Sequence, residues 1–259
     1  MEETLIDPAT SRTIVVGIQK PDNQDYFERD LLELESLLKT LRLDIVGKIV
    51  QKRAKLSPSH LLGWGKVSEL KNLVAETSAD LVVVDHALSG PQIRNLERDI
   101  KSAVIDRSGV ILDIFARHAL SKQAKSQVQI AQLEYLLPRL TGAWTHFQRQ
   151  TGGGVKSRGM GEKQIEIDRR RARRKISMLN KRLKQFHKEN REQKKSRSNQ
   201  LNVAIVGYTN TGKTSLMKGL TKTKVEGKDE LFATLDARTR TMTPNTSPRI
   251  LLSDTVGFI

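Results

Sequence analysis

Two kinds of segment alternate in the hydrophobic pattern of the chain as far as about Asp113. Short apolar runs rich in β-branched residues predict four strands, and their near-continuous apolar character is typical of a parallel sheet covered on both faces. The predicted strands are Thr13 to Ile18, Asp44 to Val50, Asp80 to Asp85 and Ala103 to Asp106. Longer segments between them predict crossover helices at Asp30 to Leu41, Lys66 to Thr77 and Pro91 to Lys101. We therefore expect an N-terminal parallel α/β domain over residues 1–119.

A second pattern, with little strand propensity, begins near Leu120. It predicts a helix over Gln127 to Leu137, stopped by Pro138, and a longer helix over Glu162 to Glu192. Apolar residues in the longer helix follow the spacing of a heptad stripe: Ile165, Ala172, Ile176, Leu179, Leu183 and Phe186. We expect a long antiparallel helical hairpin with its linker over residues 120–200.

The third pattern, over residues 201–259, places a glycine-rich loop between an apolar strand and a helix. The strand is predicted at Asn202 to Val206 and the helix at Ser215 to Leu220. The loop fits G-x-x-x-x-G-K-[ST], in which glycines let the backbone approach phosphate and N–H groups point at it. The predicted phosphate-binding residues are Gly207, Tyr208, Thr209, Asn210, Thr211, Gly212, Lys213 and Thr214. Lys213 would neutralise the β and γ phosphates, and the Thr214 hydroxyl would ligate magnesium.

A second phosphate-site element follows at the end of a predicted strand, Arg249 to Ser253. It is the Asp-x-x-Gly formed by Asp254, Thr255, Val256 and Gly257. The Asp254 carboxylate suits an outer-shell role towards magnesium, and the Gly257 N–H suits a γ-phosphate sensor. Between the two elements, Leu231 to Asp236 lies where a first switch loop belongs. There, Thr234 is either a further magnesium ligand or a solvated loop threonine.

Charge and composition narrow the class of partner. The formal net charge is +16 and the pI is about 10.1, which favours a nucleic-acid partner over an acidic membrane surface. The chain has no cysteine, so disulfides and thiolate chemistry are excluded. No apolar run approaches the roughly 18 residues of a membrane-spanning helix, and we expect a soluble, cytoplasmic protein.

Basic residues are concentrated on the predicted long helix. The candidate RNA-binding residues are Arg169, Arg170, Arg171, Arg173, Arg174 and Lys175. Contacts of this kind with phosphates weaken steeply with salt. The alternatives are a solvated coiled-coil face and a helix that binds calmodulin or a membrane surface.

The two phosphate-site elements, together with Leu231 to Arg240, resemble the HflX family of ribosome-associated GTPases. Upstream motifs extend the resemblance in the family's order: Gly63-Trp64-Gly65-Lys66, Leu88 to Glu97, Asp106-Arg107 with Ile111 to Ala116, Leu136 to Leu140, and Gly159 to Glu162 with Asp168 to Arg170. The resemblance implies GTP as substrate, Mg²⁺ as cofactor, and the large ribosomal subunit with its rRNA as partner, in ribosome splitting or rescue. We expect a monomer.

The resemblance also implies roles for individual residues. Nucleotide contacts carry over to residues 207–214, to Asp254 through Gly257, and to Phe232, Ala233, Thr234, Leu235 and Asp236. Magnesium carries over to Thr214 and Thr234, and the catalytic roles fall to Lys213, Thr234 and Gly257. Phe258 follows the Asp-x-x-Gly where Ras-like switches place a glutamine, which implies slow intrinsic hydrolysis.

The sequence departs from the family pattern in one respect, because it contains no guanine-reading Asn-Lys-x-Asp. We therefore expect an incomplete P-loop GTPase (G) domain at residues 201–259, with guanine specificity implied by the resemblance alone. The alternatives are a non-enzymatic RNA-binding or ribosome-binding fragment and an ATP-dependent RNA-remodelling protein.

Two smaller features carry little chemistry in the sequence. Gly63-Trp64-Gly65-Lys66 is either a tight loop that opens a helix or a second phosphate site. The five histidines have no metal-ligand spacing, and we expect none of them to lie between a serine and an acid as in a catalytic triad.

Overall fold

The structure, a computed structural model, describes residues 4–6, 12–22, 24–140, 160–195, 201–209, 211–221, 239–242 and 250–255. Its contacts separate two compact units. One comprises described residues within 3–113 and 131–176, and the other comprises described residues within 114–130 and 177–259. Each unit is described by itself below.

The first unit contains a four-stranded parallel sheet. Its strands are β1 (Arg12–Gln19), β2 (Asp44–Lys52), β3 (Leu81–Val84) and β4 (Ala103–Asp106), in the order β2-β1-β3-β4. All four strands were predicted, within about two residues at each end. The apolar run Leu81–Val84 is buried along its whole length, as expected for a sheet covered on both faces.

Three crossover helices cover this sheet, at α1 (Phe27–Thr40), α2 (Trp64–Thr77) and α3 (Gly90–Ile100). Alternate strand residues such as Ile14 and Val82 share a core cluster with Leu70 and Leu96 of α2 and α3. Helix α1 lies close to β1, because a Cβ at Gly17 would lie 2.8 Å from Phe27 Cζ. The predicted helices are confirmed, and α3 starts with a capping box between Ser89 and Gln92.

Two helices follow β4, and the sequence predicted only part of them. Helix α4 (Arg107–His118) was not predicted, and α5 (Lys122–Leu136) begins five residues before the predicted start, Gln127. Gly109 weakens the helical signal in α4. The packing explains this glycine, since a Cβ there would lie 2.4 Å from Ile105 Cγ1. A 3₁₀ turn, Leu137–Arg139, ends α5 at the expected Pro138.

Helix α6 (Met160–Lys195) is a single helix of 36 residues and contains the predicted segment. Its heptad stripe is confirmed by burial. Leu179 is buried and the other stripe residues are half-buried, whereas most of the intervening side chains are exposed. Antiparallel pairing of α6 with α5 stays a prediction.

The second unit contains a small sheet that carries the glycine-rich loop. Its elements are β5 (Leu201–Ile205), α7 (Lys213–Thr221), β6 (Thr239–Thr241) and β7 (Ile250–Asp254). The strand order is β5-β7-β6, with β5 and β7 parallel and β6 antiparallel to β7. Strands β5 and β7 were predicted to within one residue. Strand β6 was not, since three polar residues have no strand signal of their own.

Candidate nucleotide-binding site

The strand order brings the two predicted phosphate-site elements together. Because β5 and β7 are parallel neighbours, their carboxyl ends lie at the same edge of the sheet, with Ile205 opposite Asp254. The glycine-rich loop follows β5 directly, and Asp254 is the last residue of β7. The hydroxyl of Thr255 reinforces this edge by donating a hydrogen bond of 2.7 Å to the Ile205 carbonyl.

At this edge, Thr214 contacts Asp254 directly. The Thr214 hydroxyl donates a hydrogen bond of 2.8 Å to Oδ2 of Asp254. The aspartate is only 1% exposed, so its carboxylate is held in a low-dielectric environment at the first turn of α7. The structure thus brings these two residues into contact, although they are 40 residues apart, and their roles at a nucleotide or metal stay predictions.

The loop itself curls around the start of α7. Gly212 has a φ of +83°, a left-handed conformation, and the Gly212 carbonyl accepts the first hydrogen bond of the helix from Leu216 N at 2.9 Å. The Tyr208 carbonyl accepts hydrogen bonds from the Thr211 hydroxyl, at 2.8 Å, and from the Lys213 ammonium. The Lys213 side chain is thus folded back over its own loop.

Not every predicted site residue lies within the described residues. Gly207, Tyr208, Thr209, Thr211, Gly212, Lys213, Thr214, Asp254 and Thr255 are described and lie on the loop, on α7 or at the end of β7. The others, Asn210, Phe232, Ala233, Thr234, Leu235, Asp236, Val256 and Gly257, lie outside the described residues. Their roles in nucleotide and magnesium binding stay predictions.

The predicted RNA-binding arginines lie along α6. Arg170, Arg171, Arg173 and Arg174 are exposed, whereas Arg169 and Lys175 are half-buried. Two of the exposed arginines form ion pairs within the helix, Arg170 with Glu166 at 3.0 Å and Arg171 with Asp168 at 3.6 Å. Exposed pairs of this kind contribute little stability, so a phosphate can replace the carboxylate at small cost.

The buried carboxylate of Asp106 joins three of the upstream sequence motifs. Asp106, fully buried at the end of β4, accepts hydrogen bonds from the Leu88 and Gly109 N–H groups, both at 3.0 Å. It also accepts from the Tyr135 hydroxyl at 2.8 Å and from Arg139 Nη2 at 2.9 Å. Burial, followed by the charge of Asp106, raises the pKa of Tyr135. The bonds of Asp106 with Tyr135 and Arg139 therefore hold the end of α5 against the sheet.

The expectation for the histidines is wrong at one position. His60 lies between Ser59 and Asp99, with Nδ1 2.9 Å from Ser59 Oγ and Nε2 2.9 Å from Asp99 Oδ2. Hydrogen bonds from Arg98, and then from His60, lower the pKa of Asp99. The arrangement fastens the loop before α2 to α3, and only the adjacency of Ser59 and His60 could have suggested it from the sequence.

Three family profiles match the chain in succession. They are described as GTP-binding GTPase N-terminal at residues 28–116, GTP-binding GTPase middle region at 118–197 and 50S ribosome-binding GTPase at 202–259. Among curated proteins, the GTPase HflX of Alkalihalophilus pseudofirmus is 46% identical over 248 residues, covering 95% of this chain and 58% of that protein. The chain belongs to the HflX GTPase family.

Other HflX relatives agree with this assignment. The GTPase HflX of Escherichia coli is 42% identical over 238 residues, covering 91% of this chain and 56% of that protein. The chain thus spans less than two thirds of the length of these HflX proteins. The crystal structure of a complex of SsGBP and GDP aligns with a TM-score of 0.51 at 24% identity, over 96% of this chain and 63% of that chain. That likeness supports the fold alone.

No described helix combines the length and apolar character needed to cross a membrane.

Proposed function

We propose that this chain carries the phosphate-binding part of a GTP-hydrolysing switch that docks on the large ribosomal subunit. The observation that carries the proposal is the 2.8 Å hydrogen bond between the Thr214 hydroxyl and the Asp254 carboxylate. It unites the end of the glycine-rich loop with the start of the Asp-x-x-Gly, the two elements that P-loop switches use on one nucleotide. Membership in a GTPase family supports GTP as that nucleotide.

The donor set at this edge fits a magnesium ion. Magnesium prefers hard oxygen ligands and keeps several waters, and the edge offers one hydroxyl and one buried carboxylate. Thr214 would supply a direct ligand, Asp254 would hold a metal-bound water, and Thr234 would add a second hydroxyl. The ion would supply positive charge that offsets the negative charge of the nucleotide phosphates.

Groups of the chain itself would stabilise the transferred phosphoryl group by their charge and position. The ammonium of Lys213 and the N–H groups of the loop would stabilise negative charge that develops on the transferred phosphoryl group. The Gly257 N–H would report whether the γ-phosphate is present. Since Phe258 offers no group to orient a water, we propose that hydrolysis is slow until a partner completes the site.

Docking is assigned to the basic turn of α6. Four exposed arginines within residues 170–174 form a surface suited to the phosphates of rRNA, and contacts to phosphates position a protein without reading its sequence. The description of the third family profile, 50S ribosome-binding GTPase, supports the large ribosomal subunit as the bearer of that RNA.

Nucleotide titration tests the switch. Wild type, Lys213→Ala and the matched control Lys218→Ala, which alters another lysine of α7, would be titrated with fluorescent GTP and ATP analogues in the presence of magnesium. We expect wild type and Lys218→Ala to bind the GTP analogue tightly and Lys213→Ala to lose binding. Preference for the ATP analogue would favour an ATP-dependent RNA-remodelling protein. Absence of binding by wild type would leave an RNA-docking chain without a nucleotide switch.

A further inference from the structure

A cleft of about 340 Å³ lies at the carboxyl edge of the N-terminal sheet. Gln19 and Lys52, the last residues of β1 and β2, line it together with Lys20 and Arg53, which follow them. All charged residues among the described lining residues are cations, so the ligand that matches this cleft is an anion.

Two of these cations have no carboxylate partner within the part of the chain that the structure describes. Neither Lys52 nor Arg53 forms an ion pair with a carboxylate of the described residues. Nη1 of Arg53 is buried and donates no hydrogen bond to a described atom. The backbone N–H of Arg53 donates to the Gln19 carbonyl at 2.9 Å, which fixes the residue at the mouth of the cleft. An anion would balance positive charge on Lys52 and Arg53 that no carboxylate of the described residues pairs with.

An exposed tryptophan follows the glycine that neighbours Arg53. A Cβ at Gly63 would lie 3.0 Å from Arg53 Nη1, and the next residue, Trp64, is 69% exposed. The Trp64 ring contacts the ring of His60, with centroids 4.5 Å apart and planes inclined by 52°. His60 is in turn held by Ser59 and Asp99. The indole therefore packs against the His60 ring, while most of its surface faces solvent.

The surface next to the indole is open. Gly65, on the far side of Trp64, has no atom within 4 Å of its Cβ position, so packing does not explain a glycine there. The Gly63 N–H is already occupied, because it donates to Gln51 Oε1 at 3.0 Å. Helix α2 therefore begins with one N–H committed to the protein, and the loop presents the exposed Trp64 ring to solvent.

We propose that the cationic cleft and Trp64 together bind a single-stranded RNA segment. Its phosphodiester groups lie against Lys20, Lys52 and Arg53, and an unstacked base lies on the Trp64 indole. A cationic groove combined with an aromatic platform is the arrangement that suits single strands, since their bases are free to stack on protein. A duplex keeps its bases paired, and a mononucleotide has too few phosphates to span the cleft cations. This site goes beyond the proposed function, because it requires neither the P-loop nor the arginines of α6.

Trp64 fluorescence reports directly on this site. The chain has two tryptophans, so Trp144→Phe leaves Trp64 as the sole emitting indole. Titration of this protein with a short oligouridine should quench Trp64 saturably, with an affinity that falls as salt rises. Adding Lys52→Gln and Arg53→Gln should raise the Kd for the oligouridine about tenfold, because positive charge is lost. Quenching at saturation should be unchanged, because the Trp64 indole is still present. With labelled RNA, Trp64→Ala should weaken binding by about tenfold through lost stacking.

Two controls make the titration specific. Lys39→Gln combined with Lys71→Gln removes the same charge from exposed positions of α1 and α2 and should change Kd less than about twofold. The charge-conserving pair Lys52→Arg and Arg53→Lys should restore binding. The proposal is overturned by absence of quenching, by an equal loss in the Lys39 and Lys71 control, by equal quenching with duplex RNA, or by displacement of the RNA by uridine monophosphate. Lys213→Ala should leave the titration unchanged, so failure of this site and failure of the nucleotide switch give different results.

Discussion

Arg139 Nη2 lies 2.9 Å from Oδ2 of Asp106, and the two side chains are 16% and 1% exposed. Removing one partner of a buried pair leaves the other charge without compensation, which typically costs about 3–5 kcal/mol. We expect Arg139→Leu to lower the free energy of unfolding by about that amount in urea denaturation. Arg170→Leu, which removes an exposed ion pair on α6, should change it by less than about 0.5 kcal/mol. Similar effects of the two variants would contradict the role given to Asp106.

Glu97 predicts a pH dependence of stability. Burial raises its pKa from 4.5 to about 7, against the hydrogen bond of 3.2 Å that its Oε1 accepts from Val104 N. A folded-state pKa above the unfolded value means that the folded chain holds the proton longer. The penalty for ionising Glu97 is therefore absent below about pH 4.5, grows up to about pH 7 and is complete above it.

Glu97→Gln should remove that penalty, since an amide oxygen can still accept from Val104 N. We expect the variant to gain stability over wild type at pH 8 and to lose this advantage at pH 4.5, as measured by urea denaturation across the range. Glu76→Gln, at an exposed position of α2, is the matched control and should show no such trend. A constant difference between Glu97→Gln and wild type at all pH values would rule out the titration.

Magnesium dependence should single out Thr214. Thr214→Val removes the hydroxyl that is proposed to ligate the metal, so it should weaken nucleotide binding about tenfold with magnesium present. With the metal chelated, the variant and wild type should bind alike. Thr239→Val removes a hydroxyl on β6 that lies 2.9 Å from Ser253 Oγ of β7, and this variant should bind like wild type in both conditions. Equal weakening with and without magnesium would show that Thr214 shapes the loop and does not hold the metal.

Two glycines at helix starts should respond to alanine in opposite directions. A Cβ at Gly90 would lie 2.6 Å from the Pro138 carbonyl oxygen, whereas nothing lies within 4 Å of the Cβ position of Gly65. Gly90→Ala should destabilise the chain by about 1–3 kcal/mol through the clash. Gly65→Ala should stabilise it by up to about 1 kcal/mol through helix propensity. Thermal unfolding of both variants measures the difference, and a stable Gly90→Ala would contradict the close packing of α3 on the 3₁₀ turn.

The proposed docking role of α6 predicts a change in the salt dependence of ribosome binding. Glutamine at Arg170, Arg171, Arg173 and Arg174 should weaken cosedimentation with large ribosomal subunits and reduce its salt slope by roughly 0.7–0.9 for each lost phosphate contact. A matched variant carries glutamine at four exposed positions farther along the same helix: Lys181, Arg182, Lys184 and Lys188. Equal losses in both variants would show that overall charge, and not this turn of α6, directs docking.

Elements with strong local signals could be predicted from the sequence. The strands of the N-terminal sheet are runs of β-branched residues, and the glycine-rich loop has a backbone requirement that only glycine meets well, seen at Gly212 with its φ of +83°. The meeting of Thr214 and Asp254 was also expected, because both suit the same ion. These features depend on short stretches of chain and on one sheet edge.

Features that depend on packing between distant segments left no comparable signal. The bonds of Asp106 with Arg139 and of His60 with Asp99 join residues 33 and 39 positions apart, and no spacing rule selects these partners. Helix α4 was missed because Gly109 argues against a helix until its contact with Ile105 is known. Strand β6 forms because β7 presents a free edge to it, which its own three residues do not reveal.

Among the described residues, no strand pairs with the outer edge of β5 in the small sheet of the second unit, and Leu201 and Val203 of β5 are 51% and 39% exposed. An exposed apolar strand edge is a template for pairing with another chain. A net charge of +16 opposes such pairing by repulsion between copies, over a screening distance of about 10 Å at 0.1 M salt and about 3 Å at 1 M. Added salt should therefore lower the colloidal stability of this protein, and an RNA that neutralises its surface charge removes the same protection.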